Sequence, residues 1–390
     1  MHDCRYIRHP IPHHTGGETK MTLSKTAAAL FQPFEGGKLN LDTRIVMAPM
    51  TRGFSPKGVP GPDVAGYYRR RAEHSVGLII TEGTVINHPA AAADRDVPHF
   101  YGEEALAGWE RVVREVHEAG GRIIPQIWHV GTAREREKFP ESDAAPIGPS
   151  GLSLTGQPVS EPLTTEEIRG LVQGYAQAAA DAKRIGFDGV EIHGAHGYLI
   201  DQFFWETTNK RTDEYGGDMV GRTRFAVEVI EAVRAAVGPD FPIVFRFSQW
   251  KPVDYAAKLA PTPEDLEKFL APLSAAGVDI FHCSTRRFWE PEFEGSDLNL
   301  AGWTKKITGK PTITVGSVGL DSEFTSLFAE GKGGEAQGID SLIERFEKGE
   351  FDLVAVGRAL LGDPAWAEKI RGGRTDELQT FTKEALGSLS

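Results

Sequence analysis

A repeated alternation of short apolar runs with longer amphipathic stretches constrains the fold of this 390-residue chain more than any other feature. The runs have the length of buried strands, and the stretches between them carry the period of helices that face a core. Eight apolar runs occur, over residues 44–50, 76–86, 122–128, 189–193, 242–247, 279–284, 311–316 and 351–357. Helical patterns accompany them over residues 62–74, 103–119, 164–185, 219–237, 262–276, 298–308, 339–349 and 364–371. This order predicts a single (β/α)8 TIM barrel of the α/β class.

Helix-capping signals mark the boundaries of several units. Thr164 is followed three residues later by Glu167, which is the pattern of a capping box. Thr262 precedes Pro263, which favours a helix start. Four helical patterns end on glycine, at Gly120, Gly186, Gly238 and Gly277.

An open, doubly wound sheet is the competing architecture. It needs fewer strands and a glycine-rich turn after the first strand. The first apolar run instead ends in Ala48-Pro49-Met50-Thr51-Arg52, which contains no such turn.

Composition argues against several classes of protein. The net charge of −12 argues against a nucleic-acid partner, which needs a basic surface. No apolar run approaches the roughly 18 residues of a membrane span. The two cysteines, Cys4 and Cys283, are too few for a disulfide framework or a four-thiolate iron–sulfur cluster. We therefore expect a cytoplasmic monomer or homodimer that acts on small molecules.

Four segments fall outside the alternation. Residues 1–20 hold four of the twelve histidines and are predicted to be a disordered extension, with a metal-binding tail as the alternative. Residues 21–390 then form one domain. Residues 31–43 predict a short hairpin that closes the barrel floor. Residues 133–163 and 285–297 are long and irregular, and predict loops on the rim of the barrel.

The motif His193-Gly194-Ala195-His196-Gly197-Tyr198 follows a predicted strand directly. The carboxyl ends of barrel strands are where this fold places its active sites. Two imidazoles can hold one developing oxyanion, and a phenol beside them can deliver a proton. A satisfied histidine pair and half of a zinc site are the alternatives.

Other predicted strand ends carry groups that suit a flat, phosphorylated cofactor. Gly316, Gly319, Gly357 and Arg358 follow the seventh and eighth strands, where barrels commonly bind phosphate. Gln126 and Arg246 would face the same opening, and a ring that becomes anionic on reduction suits both side chains. A satisfied core amide is the alternative for Gln126, and a salt bridge to Glu191 is the alternative for Arg246.

These residues resemble the old yellow enzyme family of FMN-dependent ene reductases, also described as NADH:flavin oxidoreductases. The similarity covers about residues 30–373. It is carried by Ala48–Arg52, Gln126–His129, Val356–Arg358 and above all the long motif from His193 to Gly217.

The resemblance implies a role for each matching residue. Tyr198 would supply the proton, His193 and His196 would bind the oxygen of the substrate's electron-withdrawing group, and Trp128 would line the substrate pocket. Thr51 would bond the flavin O4, Gly83 and Gln126 the pyrimidine edge, and Arg246 the N1–O2 side. The full set implied to hold FMN is Pro49, Met50, Thr51, Gly83, Gln126, Arg246, Ser317, Val318, Gly357 and Arg358.

The resemblance also implies the reaction. Hydride would pass from NADPH or NADH through flavin N5 to the β carbon of an activated alkene, such as an enone, enal, maleimide or nitroalkene. Tyr198 would then protonate the α carbon. Reduction of nitrate esters or nitro compounds at the same flavin is one alternative, and a zinc hydrolase or a non-catalytic flavin-binding protein are others.

The chain departs from the family pattern at three of these positions. His196 stands where many members have Asn, and Ser317 where Asn is frequent. Thr51, in place of Cys, favours the yeast-like branch.

Overall fold

Eight parallel strands close into a barrel in the computed structural model, which describes residues 27–139, 142–320 and 338–390. Neighbours along the chain pair with one another, and the last strand pairs with the first, with Val354 opposite Ile45. The predicted barrel is therefore confirmed. The predicted extension over residues 1–20 lies outside the described residues.

The first two strands form a hairpin and the next eight form the barrel. They are β1 (Phe34–Gly36), β2 (Leu39–Leu41), β3 (Ile45–Met47), β4 (Leu78–Val85), β5 (Arg122–Trp128), β6 (Val190–Gly194), β7 (Ile243–Ser248), β8 (Ile280–Ser284), β9 (Thr312–Val315) and β10 (Leu353–Val356).

The eight predicted helical patterns all form helices. Two short helices that follow β6 and β10 directly were not predicted, because each has too few turns to show a helical period. The helices in the described part of the chain are α1 (Pro62–Glu73), α2 (Glu103–Glu118), α3 (Thr165–Arg184), α4 (Leu199–Phe204), α5 (Met219–Val237), α6 (Pro263–Ala276), α7 (Leu300–Thr308), α8 (Asp340–Glu347), α9 (Arg358–Gly362) and α10 (Trp366–Arg371).

The helix boundaries follow the capping chemistry of the sequence. Thr164 accepts the backbone N–H of Glu167, whose carboxylate reaches back to the Thr164 N–H, so the capping box is complete. Thr262 caps α6 through the N–H of Asp265. The glycines predicted to end helices all have positive φ, which a residue without Cβ adopts at no steric cost.

The hairpin of β1 and β2 closes the amino-terminal end of the barrel, as predicted. Phe34, Leu39 and Leu41 are buried against the inward-facing side chains of the strands. The turn residue Gly37 has φ +53°, and a Cβ there would lie 2.3 Å from Cγ1 of Ile280. The floor is therefore sealed, and the carboxyl ends of the strands form the open end.

A second apolar layer fills the space between the strands and the surrounding helices. The rim segment at 142–163 packs onto the motif region, because Arg211 donates to the backbone carbonyls of Pro149 and Leu163. The rim segment at 285–297 buries Phe288 and Phe293. Within the described ranges, no helix is both long and apolar enough to cross a membrane.

Candidate active site

A cavity of about 580 Å³ opens at the carboxyl ends of the barrel strands. Its volume is typical of sites that enclose most of a cofactor or a drug-sized ligand. Residues from both ends of the chain meet in its walls. The residues predicted from sequence that line it are Pro49, Met50, Thr51, Gln126, Trp128, His193, His196, Tyr198, Arg246, Ser317, Val318, Gly357 and Arg358.

Gly83 is the predicted site residue that does not line this cavity. It lies in β4 opposite Gln126, next to a register shift that begins at Ile80. A Cβ on Gly83 would lie 2.4 Å from Cε3 of Trp128. Gly83 therefore stands behind the cavity wall and gives the Trp128 indole room to pack.

The two histidines and the tyrosine of the motif form one compact group. The ring centroids of His193 and His196 are 5.3 Å apart with the planes at 87°, and those of His193 and Tyr198 are 5.1 Å apart. β6 ends at Gly194 and α4 begins at Leu199, so the chain must turn sharply between them. His196 takes φ +62°, a left-handed conformation that is uncommon outside glycine and concentrated at functional sites.

Both imidazoles are neutral in this environment. Burial lowers the pKa of His193 and of His196 well below the usual histidine value, and the nearby Arg246 charge lowers both further. The backbone N–H of Ala195 donates to Nδ1 of His193 at 3.3 Å, which assigns the His193 proton to Nε2. A neutral ring with one N–H can donate to an oxygen without carrying a charge into the cavity.

The Tyr198 phenol is held in its neutral form by its surroundings. Burial raises its pKa above the usual tyrosine value. Its ring meets the Trp128 indole edge-on, with the centroids 4.8 Å apart. The phenol therefore lies beside the histidine pair in its neutral form.

The alternatives for Gln126 and Arg246, a satisfied core amide and a salt bridge to Glu191, can be compared with the observed hydrogen bonds. Gln126 Nε2 donates to Glu191 Oε1 at 2.7 Å, and His282 Nδ1 lies 2.7 Å from Glu191 Oε2. The Glu191 carboxylate is thus bonded to Gln126 and His282, and it forms no ion pair with Arg246, which also belongs to the described residues. Gln126 combines both interpretations, since it is bonded in the barrel interior and also lines the cavity.

Arg246 is a buried cation whose guanidinium N–H groups find few hydrogen-bond acceptors in the surrounding protein. It is 6% exposed, its Nε has no partner within the described residues, and its Nη2 lies 3.4 Å from Ser284 Oγ. Burial lowers its pKa, although the Glu191 charge opposes the shift. A guanidinium in this state needs an electron-rich ligand in the cavity, which fits the N1–O2 side of a reduced flavin.

The ends of β9 and β10 form the opposite side of the cavity. Gly316 and Ser317 have positive φ, and Ser317 Oγ donates to the Arg286 carbonyl at 3.1 Å. Arg358 Nη2 donates to Ser317 Oγ at 3.4 Å. Gly357 leaves space beside Met50, whose Sδ would be 3.4 Å from an added Cβ. This combination of turn backbone and arginine suits a phosphate group, and the residues after Leu320 lie outside the described part.

The cavity residues without a predicted role in the site include Trp250, Tyr255, Ser284 and Leu386. Ser284 could have been identified from its position on β8, two residues after His282. Alternate residues of a strand share a face, so both side chains point into the barrel. No signal identifies Leu386. It reaches the cavity because Arg52 Nη2 donates to the carbonyls of Ala385 at 3.0 Å and Ser388 at 2.7 Å, and so holds this segment over the cavity edge.

The zinc alternative requires a set of convergent ligands. In the residues that the structure covers, no group of three or more His, Cys, Asp or Glu side chains is arranged to hold a metal ion. His196 Nε2 is bonded to Ser284 Oγ at 2.8 Å, and its ring stacks on Trp250.

Comparison with known proteins agrees with this geometry. Residues 29–377 match the model of the NADH:flavin oxidoreductase / NADH oxidase family. The chain is 35% identical over 351 residues to 12-oxophytodienoate reductase 1 of Oryza sativa subsp. japonica, covering 87% of this chain and 86% of that protein.

Two solved structures have the same fold and similar sequences. Morphinone reductase in complex with tetrahydroNAD gives a TM-score of 0.75 at 30% identity, over 92% of this chain and 93% of that one. The old yellow enzyme homologue from Zymomonas mobilis gives 0.74 at 27% identity, over 92% and 96%. The chain therefore belongs to the NADH:flavin oxidoreductase / NADH oxidase family, the old yellow enzymes, and is an oxidoreductase that uses FMN and a nicotinamide cofactor.

Proposed function

We propose that this protein is an NAD(P)H-dependent ene reductase, which reduces the C=C bond of an alkene conjugated to an electron-withdrawing group. The observation that carries the proposal is the group of two imidazoles and a phenol in the wall of the cavity, with the His193 centroid 5.3 Å from that of His196 and 5.1 Å from that of Tyr198. Burial lowers the pKa of both histidines and raises that of Tyr198. The names of its relatives, 12-oxophytodienoate reductase and morphinone reductase, support reduction as the reaction class.

The cavity residues divide between holding the cofactor and handling the substrate. FMN, when bound, supplies the hydride chemistry. Arg246 would face the N1–O2 side of its ring, where its unmet hydrogen-bonding capacity and its charge favour an anion. The other residues proposed to hold FMN are Pro49, Met50, Thr51, Gly83, Gln126, Ser317, Val318, Gly357 and Arg358, with Gly83 acting from behind the wall.

The histidine pair would bind the oxygen of the electron-withdrawing group. Two neutral N–H donors stabilise negative charge that develops on that oxygen, and this makes the β carbon of the alkene electrophilic. Because both pKa values lie well below the usual histidine range, His193 and His196 donate hydrogen bonds without giving up a proton to the product. Trp128 and Trp250 flank the pair, since the Trp128 ring lies nearly parallel to His193 and the Trp250 ring stacks on His196.

Tyr198 would complete the reaction by protonating the α carbon. Its pKa is raised by burial, so the phenol remains a proton source at neutral pH. It is in edge contact with the His193 ring, and this contact supports a proton donor next to the proposed oxygen-binding pair.

Isotope labelling tests the proposal directly. The FMN-loaded protein is reduced anaerobically with NADPH or NADH, and 2-cyclohexenone is then added in D2O. We expect reoxidation of the flavin and cyclohexanone that carries solvent deuterium at the α carbon. Failure of the enone to reoxidise the flavin, or the absence of solvent deuterium from the α carbon, would contradict the assigned reaction.

A further inference from the structure

The Ser284 hydroxyl joins the proposed flavin-facing arginine to one of the two substrate-facing histidines. Its Oγ lies 2.8 Å from Nε2 of His196 and 3.4 Å from Nη2 of Arg246. Ser284 is 3% exposed and ends β8 in the cavity wall. None of the motifs that carry the family resemblance includes it.

The chemistry of the three groups fixes the direction of these hydrogen bonds. A guanidinium can only donate, so the Ser284 oxygen accepts from Arg246. The hydroxyl has one proton to give, and His196 Nε2 is its one acceptor among the described residues. The His196 ring is neutral because burial and the Arg246 charge lower its pKa, so Nε2 is free to accept.

An imidazole that accepts at Nε2 carries its proton on Nδ1. The other ring has the opposite arrangement, since the Ala195 N–H bonded to Nδ1 of His193 leaves the proton on Nε2. Each ring is thus held in one tautomer by a different neighbour: a backbone amide for His193 and a serine hydroxyl for His196.

We propose that Ser284 is a positioning residue that holds His196 as the Nδ1–H tautomer, so that this N–H can donate to the substrate oxygen. The identity of that oxygen rests on the proposed function. Without the hydroxyl, Nε2 loses its partner, and the proton can move to either ring nitrogen. When the proton is on Nε2, Nδ1 carries a lone pair in its place, and this lone pair repels an oxyanion.

Nitrogen NMR reads the tautomer without any turnover. The FMN-loaded protein is labelled with 15N-histidine, and the His196 signals are assigned by their loss in a His196→Asn variant. We expect one protonated nitrogen at Nδ1 and one unprotonated nitrogen at Nε2 in the natural sequence. Ser284→Ala should give a mixture or the reverse tautomer, and Ser284→Thr, which keeps a hydroxyl, should restore the original pattern.

Affinity for phenol, read from the change in flavin absorption, gives a second measurement. Loss of one aligned donor should weaken binding on the order of tenfold in Ser284→Ala, with recovery in Ser284→Thr. Ser55→Ala, at a buried serine whose hydroxyl has no partner in the described chain and does not line the cavity, is the matched control.

A His196 proton on Nε2 in the natural sequence, or an unchanged tautomer and phenol affinity in Ser284→Ala, would overturn the inference. Failure of the enone to reoxidise the flavin would instead count against the proposed function. The two failures are distinguishable because the tautomer is recorded without substrate.

Discussion

The Trp128 indole meets the Tyr198 ring edge-on, with the centroids 4.8 Å apart and the planes at 78°. The same indole lies against Gly83, where a Cβ would approach it to 2.4 Å. The position of the Tyr198 ring, the proposed acid, therefore depends through Trp128 on the packing against β4. The contact links a backbone position outside the cavity to a side chain inside it.

Replacing Tyr198 by Phe should slow alkene reduction while preserving the reduction of the flavin by nicotinamide. Loss of a general acid typically costs about 10²- to 10⁴-fold in rate. Anaerobic stopped-flow absorbance separates the two half-reactions. Tyr175→Phe is the matched control, because that hydroxyl is buried in α3 without a partner in the described residues. Equal losses in both half-reactions would remove Tyr198 from the role of late acid.

Replacing Gly83 by Ala should displace the Trp128 indole and destabilise the protein. Overpacking a filled site costs roughly 1–3 kcal/mol, and here it should also weaken FMN binding. Gly170→Ala is the contrasting change. It lies in α3 with nothing within 4 Å of the new Cβ, and helix propensity predicts a gain of about 1 kcal/mol or less. Urea unfolding and flavin titration measure both variants, and equal effects would refute the packing role of Gly83.

Removing the Lys251 ammonium should be far more costly than removing a surface charge. Lys251 Nζ lies 2.7 and 2.9 Å from the two oxygens of Asp201, which also accepts the Gly197 N–H, and both side chains are fully buried. Lys251→Met leaves a buried carboxylate unpaired, which costs about 3–5 kcal/mol. Arg224→Ala, which breaks the exposed pair with Glu228, should cost about 0.5 kcal/mol or less.

A double variant distinguishes lost pairing from lost packing at the same site. Lys251→Met combined with Asp201→Asn removes both charges, and it should recover a large part of the stability that Lys251→Met loses. No recovery in urea unfolding would show that the buried ion pair is not the source of the effect.

The free energy of unfolding should depend on pH through Glu82, which holds the loop after β3. This carboxylate accepts the backbone N–H groups of Arg52 and Gly53 at 2.8 and 2.9 Å. Burial raises the pKa of Glu82 to about 7, against the opposing effect of those hydrogen bonds and of the Arg52 charge. The folded state therefore holds this proton more tightly than the unfolded chain does.

The sign of the Glu82 effect follows from that pKa difference. Its stabilising contribution is full below pH of about 4.5 and falls as the pH rises to about 7, by roughly 3 kcal/mol at 1.4 kcal/mol per pKa unit. Glu82→Gln should lose this slope, whereas Glu110→Gln, on the exposed face of α2, should keep it. Unfolding free energies at several pH values measure the slopes, and parallel slopes for all three proteins would contradict the assignment.

Local sequence signals predicted the elements of this fold because strand and helix boundaries depend on near neighbours. β5 begins and ends at the predicted residues, and the Thr164 capping box determines where α3 starts. α4 was not predicted, since its six residues, Leu199–Phe204, are all buried and show no amphipathic period.

Cavity residues were predicted where they lie in a motif or directly at a predicted strand end, but contacts between distant segments were not. Ser284 bonds His196 across 88 residues of sequence, and Arg52 holds the carbonyls of Ala385 and Ser388 across 333 and 336 residues. Neither pairing changes the pattern of its own segment. Packing around Gly83 depends in the same way on the Trp128 ring of the neighbouring strand.

The pairing of β3 with β10 has a consequence for biosynthesis. The open end of the barrel is incomplete until residue 356 has left the ribosome, and its edge at Leu386 is added thirty residues later. A nascent chain that ends before these positions therefore lacks a complete cavity, and the proposed FMN site is finished only late in translation.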